Sequence, residues 1–150
     1  MGFDELAVDA SRRLRHALVA AYGPDVGGEA TADAVAYAWE HRDRIEAMEN
    51  PVGYLYRVGQ TAARRLMKPG RVLFPSVPEH LEPRVEPGLP AALMNLTEMQ
   101  RTCVVLVHAY GYGQTEVGHL LGVSPSTVRS HLDRGLTALR DALEVAHESR

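Results

Sequence analysis

Short polar side chains and two arginines lie close together in the segment QTEVGHLLGVSPSTVRSHLDRGLTALRDAL, residues 114–143. Serine and threonine let a helix approach base edges closely, while arginine reaches guanine acceptors or phosphates. A structural helix hairpin would present longer Glu and Lys side chains at these positions. We therefore expect this segment to read DNA through an outward-facing set consisting of Ser126, Thr127, Arg129, Ser130 and Arg134.

Two helices joined by a tight turn are needed to position that set. The first is predicted from about Gln114 to Leu121 and stops at Gly122, since glycine favours the left-handed conformation at a helix end. Ser124 then caps the second helix and Pro125 occupies its first turn. The order of these signals predicts a helix-turn-helix. The second helix would bury Val128, Leu132, Leu136, Leu139 and Leu143.

A second cationic cluster lies near the middle of the chain. The whole chain has a net charge of −3, yet residues 51–78 contain five bases and no acid. Asn50 and Pro51 predict a helix start here, and the helix should run to about Met67. Helical spacing buries Leu55, Val58, Gly59, Ala62 and Leu66, and it gathers Arg57, Thr61, Arg64 and Lys68 on another face. Such a face suits a polyanionic partner.

The remaining chain is also predicted to be helical. One amphipathic helix runs from Phe3 to Tyr22 and ends at Gly23-Pro24; after a loose Gly27-Gly28, another covers about 29–42. Thr97 and Gln100 predict a capping box that opens a helix through about residue 109. Residues 69–90 hold six prolines, which favour an extended linker reaching up to about 70 Å. We thus expect an all-α protein with two small helical domains, residues 1–68 and 91–150, joined by this Pro-rich linker.

Enzyme, redox and membrane classes have little support in the sequence. The histidines lack metal-ligand spacing, no glycine-rich loop follows a strand, and we expect no catalytic residue, metal or cofactor. The single cysteine, Cys103, lies in the apolar run CVVLV and is expected to be a core residue. No window approaches the roughly 18 apolar residues of a membrane span. The acidic N-terminal stretch also differs from a secretory signal, so a cytoplasmic location is expected.

The helix-turn-helix segment and its flanks, residues 89–143, resemble region four of the bacterial sigma-70 family, especially its extracytoplasmic-function (ECF) type. The stretch EATADAVAYAW resembles the region-two helix that binds the coiled coil of the polymerase β′ subunit in that family. NPVGYLYRVGQTAARRL resembles the next helix, which recognises and melts the minus-ten element. These segments occur in the family's order.

The resemblance implies a transcription initiation factor that binds core RNA polymerase, through the β′ coiled coil and the β flap, and promoter DNA. An anti-sigma factor is a further implied partner. The helix-turn-helix would read the minus-thirty-five element. The implied minus-ten residues are Tyr54, Tyr56, Arg57, Gln60, Thr61, Arg64 and Lys68, and the implied polymerase-binding residues are Glu29, Asp33, Val35 and Trp39.

Two other classes of protein remain open at this stage. A transcriptional regulator with a LuxR-type output domain would use the N-terminal half for dimerisation or sensing. A sigma-like adaptor or inhibitor would act through protein contacts alone. It is suggested by Gln60-Thr61, which stand where the family's melting helix usually has Arg-Asn.

Overall fold

A computed structural model describes residues 2–69, 73–74 and 87–148, and all regular elements in these ranges are helices. They are α1 (Phe3–Glu40), α2 (Arg42–Glu46), α3 (Pro51–Leu66), α4 (Leu89–Met94), α5 (Glu98–Val104), a π-helical segment (Val105–Ala109), α6 (Gln114–Leu121) and α7 (Pro125–Glu148). The all-α prediction with two helical domains is confirmed. No helix among the described residues has an apolar stretch long enough to cross a bilayer.

Helix α1 consists of two arms that meet at Gly23. This residue has φ 83°, outside the helical range, so the chain reverses there as Gly23-Pro24 predicts. The expected loose stretch at Gly27-Gly28 is wrong, because both glycines lie inside the second arm. A Cβ on Gly27 would lie 2.6 Å from the Cα of Val19, so the missing side chain lets the two arms pack closely.

Helix α3 packs along α1 and completes the N-terminal core. The Asn50 side chain accepts a hydrogen bond from the amide of Gly53 (3.1 Å), which confirms the predicted cap. Gly59 faces Leu18, and a Cβ at this glycine would lie 2.5 Å from that leucine's side chain. The core between α1, α2 and α3 includes Leu14, Leu18, Tyr22, Val26, Ile45, Leu55 and Tyr56.

Most of the predicted linker lies outside the described residues. Its described part includes Leu73 and Phe74. Leu73 is buried, and its carbonyl lies where a side chain on Gly23 would have to be. Phe74 lies under the guanidinium of Arg101, 5.8 Å from ring centroid to Cζ. This part of the linker therefore packs on the helices, unlike the freely extended segment that the prolines predict.

The C-terminal helices pack around α5 and α7. Thr97 and Gln100 make the predicted reciprocal capping box at the start of α5. The helix continues through the π-helical segment to residue 109, where the sequence places its end. Cys103 is fully buried in this domain, as expected. Helix α4 begins at Leu89, two residues before the predicted domain boundary.

The two helical domains pack directly against each other. Helix α1 contacts α5, α6 and the π-helical segment, and α3 contacts α6. At the centre of this contact lies Arg101, whose Nε donates to the Ala21 carbonyl (2.8 Å) and whose Nη1 donates to the carbonyls of Leu93 and Leu96. Arg101 is 6 % exposed, and burial lowers the pKa of its guanidinium. One of its three acceptors belongs to the N-terminal domain, so this buried cation, with its hydrogen bonds made, links the two domains at a defined point.

Candidate nucleic-acid interface

The turn between α6 and α7 has the geometry of a helix-turn-helix. Helix α6 ends at Gly122 with φ 73° and ψ 33°, the left-handed conformation expected for glycine there. The amide of Val123 donates to the Gly118 carbonyl (2.9 Å), which closes the turn. Val128 and Leu132 are buried and hold α7 on the domain. Local sequence signals thus produce the predicted turn.

The first turn of α7 is organised by Ser124. Its Oγ accepts a hydrogen bond from the Thr127 amide (3.2 Å) and lies 2.8 Å from Thr127 Oγ1 and 3.1 Å from Ser126 Oγ. The predicted cap is therefore present. These hydroxyls are fixed in one cluster at the exposed start of the helix, where a reading helix meets the major groove.

The rest of the predicted recognition set lies on the outer side of α7. Arg129 and Arg134 are exposed and Ser130 is half-buried. Within the described part of the chain neither arginine makes an ion pair. Their guanidinium groups are available to guanine acceptors or to phosphates.

The cationic face of α3 forms as predicted. Arg57, Thr61, Arg64 and Lys68 are all exposed, with Lys68 just beyond the end of the helix. The Thr61 hydroxyl donates to the Arg57 carbonyl (3.2 Å), so its side chain lies against its own helix. A polyanion would meet two arginines and a lysine along this face.

Gln60 and Arg64, both of the implied minus-ten set, contact the other domain. Gln60 Nε2 and Arg64 Nη2 lie 3.2 and 3.4 Å from the same carboxylate oxygen of Glu98, at the start of α5. That oxygen also accepts from the Tyr22 hydroxyl at 2.5 Å. Glu98 raises the pKa of Arg64, and burial followed by the Glu98 hydrogen bond raises that of Tyr22. Sequence reasoning missed Glu98, because an acid in the first turn of a helix already has a local explanation.

The two tyrosines of α3 occupy different environments. Tyr54 is half-buried, and its hydroxyl lies 3.2 Å from the Tyr37 hydroxyl. Tyr56, in contrast, is 2 % exposed, and burial raises its pKa. The expectation that Tyr56 faces DNA fails in this structure, because the residue continues the buried row Val52, Tyr56, Gly59 and Ala63.

Arg44 contacts Tyr37 and Tyr54, although no sequence pattern indicated this contact. Its Nη2 donates to the hydroxyls of both Tyr37 and Tyr54 (2.6 Å each), and its guanidinium lies within 6 Å of both rings. Arg44 belongs to α2, so no spacing within α1 or α3 could have revealed it.

The four residues implied in polymerase binding divide between two faces of α1. Glu29 and Asp33 are exposed, and Asp33 lines a groove of about 520 Å³ with Tyr54, Thr61 and Arg65. Val35 and Trp39 follow Asp33 by two and six residues, which puts them on a different side of a helix with 3.6 residues per turn. Trp39 is 45 % exposed and packs on Phe3. Asp33 therefore shares a groove with part of the implied minus-ten set and lies on a different side of the helix from Trp39.

Comparison with known proteins agrees with this architecture. The family model "Sigma-70, region 4" matches residues 92–141, which contain α5, α6 and the first part of α7. The fold is similar to that of the sigma factor RpoE from Bartonella quintana, solved in complex with the anti-sigma factor NepR. That similarity has a TM-score of 0.64 at 19 % identity and covers 95 % of this chain and 97 % of that chain.

The C-terminal domain is therefore a sigma-70 region 4 domain with a helix-turn-helix. Over the whole chain, the likeness to the solved sigma factor is a likeness of fold, and it includes both helical domains.

Proposed function

We propose that this protein is an ECF-type sigma factor that directs core RNA polymerase to promoters and starts transcription. The observation that carries this proposal is the coincidence of the region 4 match with a capped helix-turn-helix whose outer arginines make no ion pair with any described residue. The protein would act by binding rather than by catalysis. It would work in the cytoplasm, where bacterial polymerase meets DNA.

In this proposal α7 reads the minus-thirty-five element. Ser126, Thr127 and Ser130 are short enough for close approach to base edges, and Arg129 and Arg134 reach guanine or phosphate. The fixed hydroxyl cluster around Ser124 orients the first turn.

Helix α3 would bind the minus-ten element through Arg57, Thr61, Arg64 and Lys68, with Gln60 at the edge of this face. Tyr54 lies at the groove beside Arg44, where an aromatic ring and a cation can stack on an unpaired base. Tyr56 is omitted from this assignment because it belongs to the core.

The polymerase-binding surface would lie on the second arm of α1. Glu29 and Asp33 present exposed carboxylates, and Trp39 presents part of its indole on a different side of the same helix. Exposed aromatic residues and charges suit a protein interface. The β′ coiled coil is the proposed partner of this surface, and the β flap that of the C-terminal domain.

An anti-sigma factor is a further proposed partner. The similar sigma factor from Bartonella quintana was solved with such a protein. A soluble inhibitor that binds both helical domains would prevent the chain from joining polymerase.

Anisotropy of a labelled promoter-sized duplex, measured at one stated salt concentration, tests the main proposal. Weak binding by the protein alone and tight binding with core polymerase, together with run-off transcription, is expected. The double variant Arg129→Ala/Arg134→Ala is a control that should keep core binding and lose promoter selectivity. Tight binding to a palindromic site without polymerase would instead indicate a regulator, and core binding without transcription would indicate an adaptor.

A further inference from the structure

We propose that the free chain is held closed by Glu98, whose carboxylate occupies the DNA-binding face of α3 in place of a phosphate. The closed packing is an observation about this chain alone, whereas the exclusion of DNA rests on the proposed function of α3. Release of this contact would then be a step in activation.

A single oxygen of Glu98 is the centre of the contact. Glu98 Oε1 accepts from the Tyr22 hydroxyl, from Gln60 Nε2 and from Arg64 Nη2. Two of these donors belong to the surface that would bind the minus-ten element. An anionic oxygen surrounded by a guanidinium, an amide and a hydroxyl has the donor set that proteins offer to a DNA phosphate. Glu98 therefore competes with phosphate for the same donors.

Other contacts place the rest of the C-terminal domain against the same side of the N-terminal helices. Asn50 Nδ2 donates to the His119 carbonyl in α6 (2.8 Å). His16 stacks on Tyr110, with ring centroids 4.2 Å apart, and its Nδ1 lies 2.8 Å from the Tyr112 hydroxyl. The hydrogen bond from Arg101 to the Ala21 carbonyl belongs to the same interface. The interface thus extends from α6 to the turn after the π-helical segment, with Glu98 at its cationic edge.

This arrangement conflicts with simultaneous reading of two promoter elements. Elements about 17 base pairs apart are separated by roughly 58 Å at 3.4 Å per base pair. Here a side chain of the region 4 domain touches α3 directly, and its negative charge would repel an approaching phosphate. Promoter binding consequently requires the two domains to separate and the Glu98 contact to break.

Charge reversal at Glu98 provides the test. Glu98→Lys puts a cation beside Arg64, and Glu144→Lys, at an exposed position near the end of α7, is the matched control with the same change in net charge. Donor and acceptor dyes on Glu46→Cys and Asp141→Cys, in a Cys103→Ala background, report the distance between domains in the full chain. Both label positions are exposed. Circular dichroism checks that each variant is folded. If Glu98→Lys is unfolded, the milder substitution Glu98→Gln takes its place.

Energy transfer should fall in Glu98→Lys and stay at the parental value in Glu144→Lys. Since a partly exposed ion pair changes an equilibrium by up to about fivefold, a rise of that order in the open-to-closed ratio is expected. Affinity for a fluorescein-labelled 30-base-pair duplex should rise by a similar factor relative to Glu144→Lys. Equal energy transfer in the two variants would overturn the closed-state proposal. Lower energy transfer without a gain in DNA affinity would uphold closure by Glu98 and contradict the DNA-binding role of α3.

Discussion

The ring of Phe3 meets the indole of Trp39 edge-on, with centroids 4.8 Å apart and an angle of 77° between the planes. The start of the first arm of α1 thus covers one side of the tryptophan near the end of the second. Trp39 nevertheless remains 45 % exposed. The pair joins the two ends of the helical hairpin and leaves part of the indole free for a partner.

Phe3→Ala should expose Trp39 further and loosen the hairpin. Loss of the aromatic pair is expected to lower the free energy of unfolding by roughly 0.5–1.5 kcal/mol, in addition to the lost burial. Since Trp39 is the single tryptophan of the chain, a red shift of its emission reports the change directly. Val8→Ala, at a residue that is 74 % exposed, should alter neither quantity. An unshifted spectrum in Phe3→Ala would argue against the pair.

Asp33→Arg is expected to weaken binding to the β′ subunit. The side chain is exposed in the groove, so the substitution reverses charge at the proposed interface without removing core volume. Pull-down of β′ by the folded variant measures the effect. Asp141→Arg on α7 serves as the control. Wild-type retention of β′ by Asp33→Arg would remove Asp33 from the interface.

Arg129→Ala and Arg134→Ala should each reduce selectivity for the minus-thirty-five-like element. An arginine that is bidentate to guanine contributes about 1–3 kcal/mol of discrimination. Competition between matched and scrambled duplexes distinguishes base reading from phosphate contact. An equal loss on both duplexes would assign the substituted arginine to phosphate, and helix content should stay unchanged.

Gly122→Ala should destabilise the helix-turn-helix. The residue has φ 73°, where an L side chain costs about 1–2 kcal/mol. Gly122→Asn should cost less, because asparagine tolerates the left-handed conformation better than alanine does. Thermal unfolding of the two variants gives the comparison. Identical losses for alanine and asparagine would mean that backbone conformation is not the cause.

Alkaline pH should destabilise the fold partly through Cys103. Burial raises the pKa of its thiol from the ordinary 9.0 to about 11. The unfolded chain therefore loses this proton first, and the contribution of the neutral buried thiol is lost as the pH rises from about 9 to about 11. Urea unfolding across this range, compared with Cys103→Ala, measures it. Parallel pH profiles for the two proteins would contradict a buried thiol.

Helix ends and turns were predictable from the sequence where the type of one residue determines the backbone conformation next to it. Gly122 and Ser124 act within one helical turn, and so does Asn50, so their geometry follows from residue type. Tyr56 was misplaced because tyrosine suits both a core and a stacking site. Its spacing from Val52 and Gly59 was the available signal for burial.

The contact between the domains could not be predicted in the same way. Tyr22 and Glu98 are 76 residues apart in sequence, and no pattern in the neighbouring sequence of either residue indicates the other. Gly27 was misread for a related reason. A pair of glycines indicates a loop when taken alone, but here the first of them permits close approach to Val19, a residue of the other arm.

The bond from Arg101 to the Ala21 carbonyl spans 80 residues, and that between His16 and Tyr112 spans 96. Ordering a loop of such length costs chain entropy before any contact is gained, so these bonds should form last during folding. The hairpin of α1 and the turn between α6 and α7, by contrast, close over short stretches and can form early. In native-state hydrogen exchange, the two helical domains should therefore behave as separate cooperative units, and the Arg101 interface should open at a lower free energy than either one unfolds.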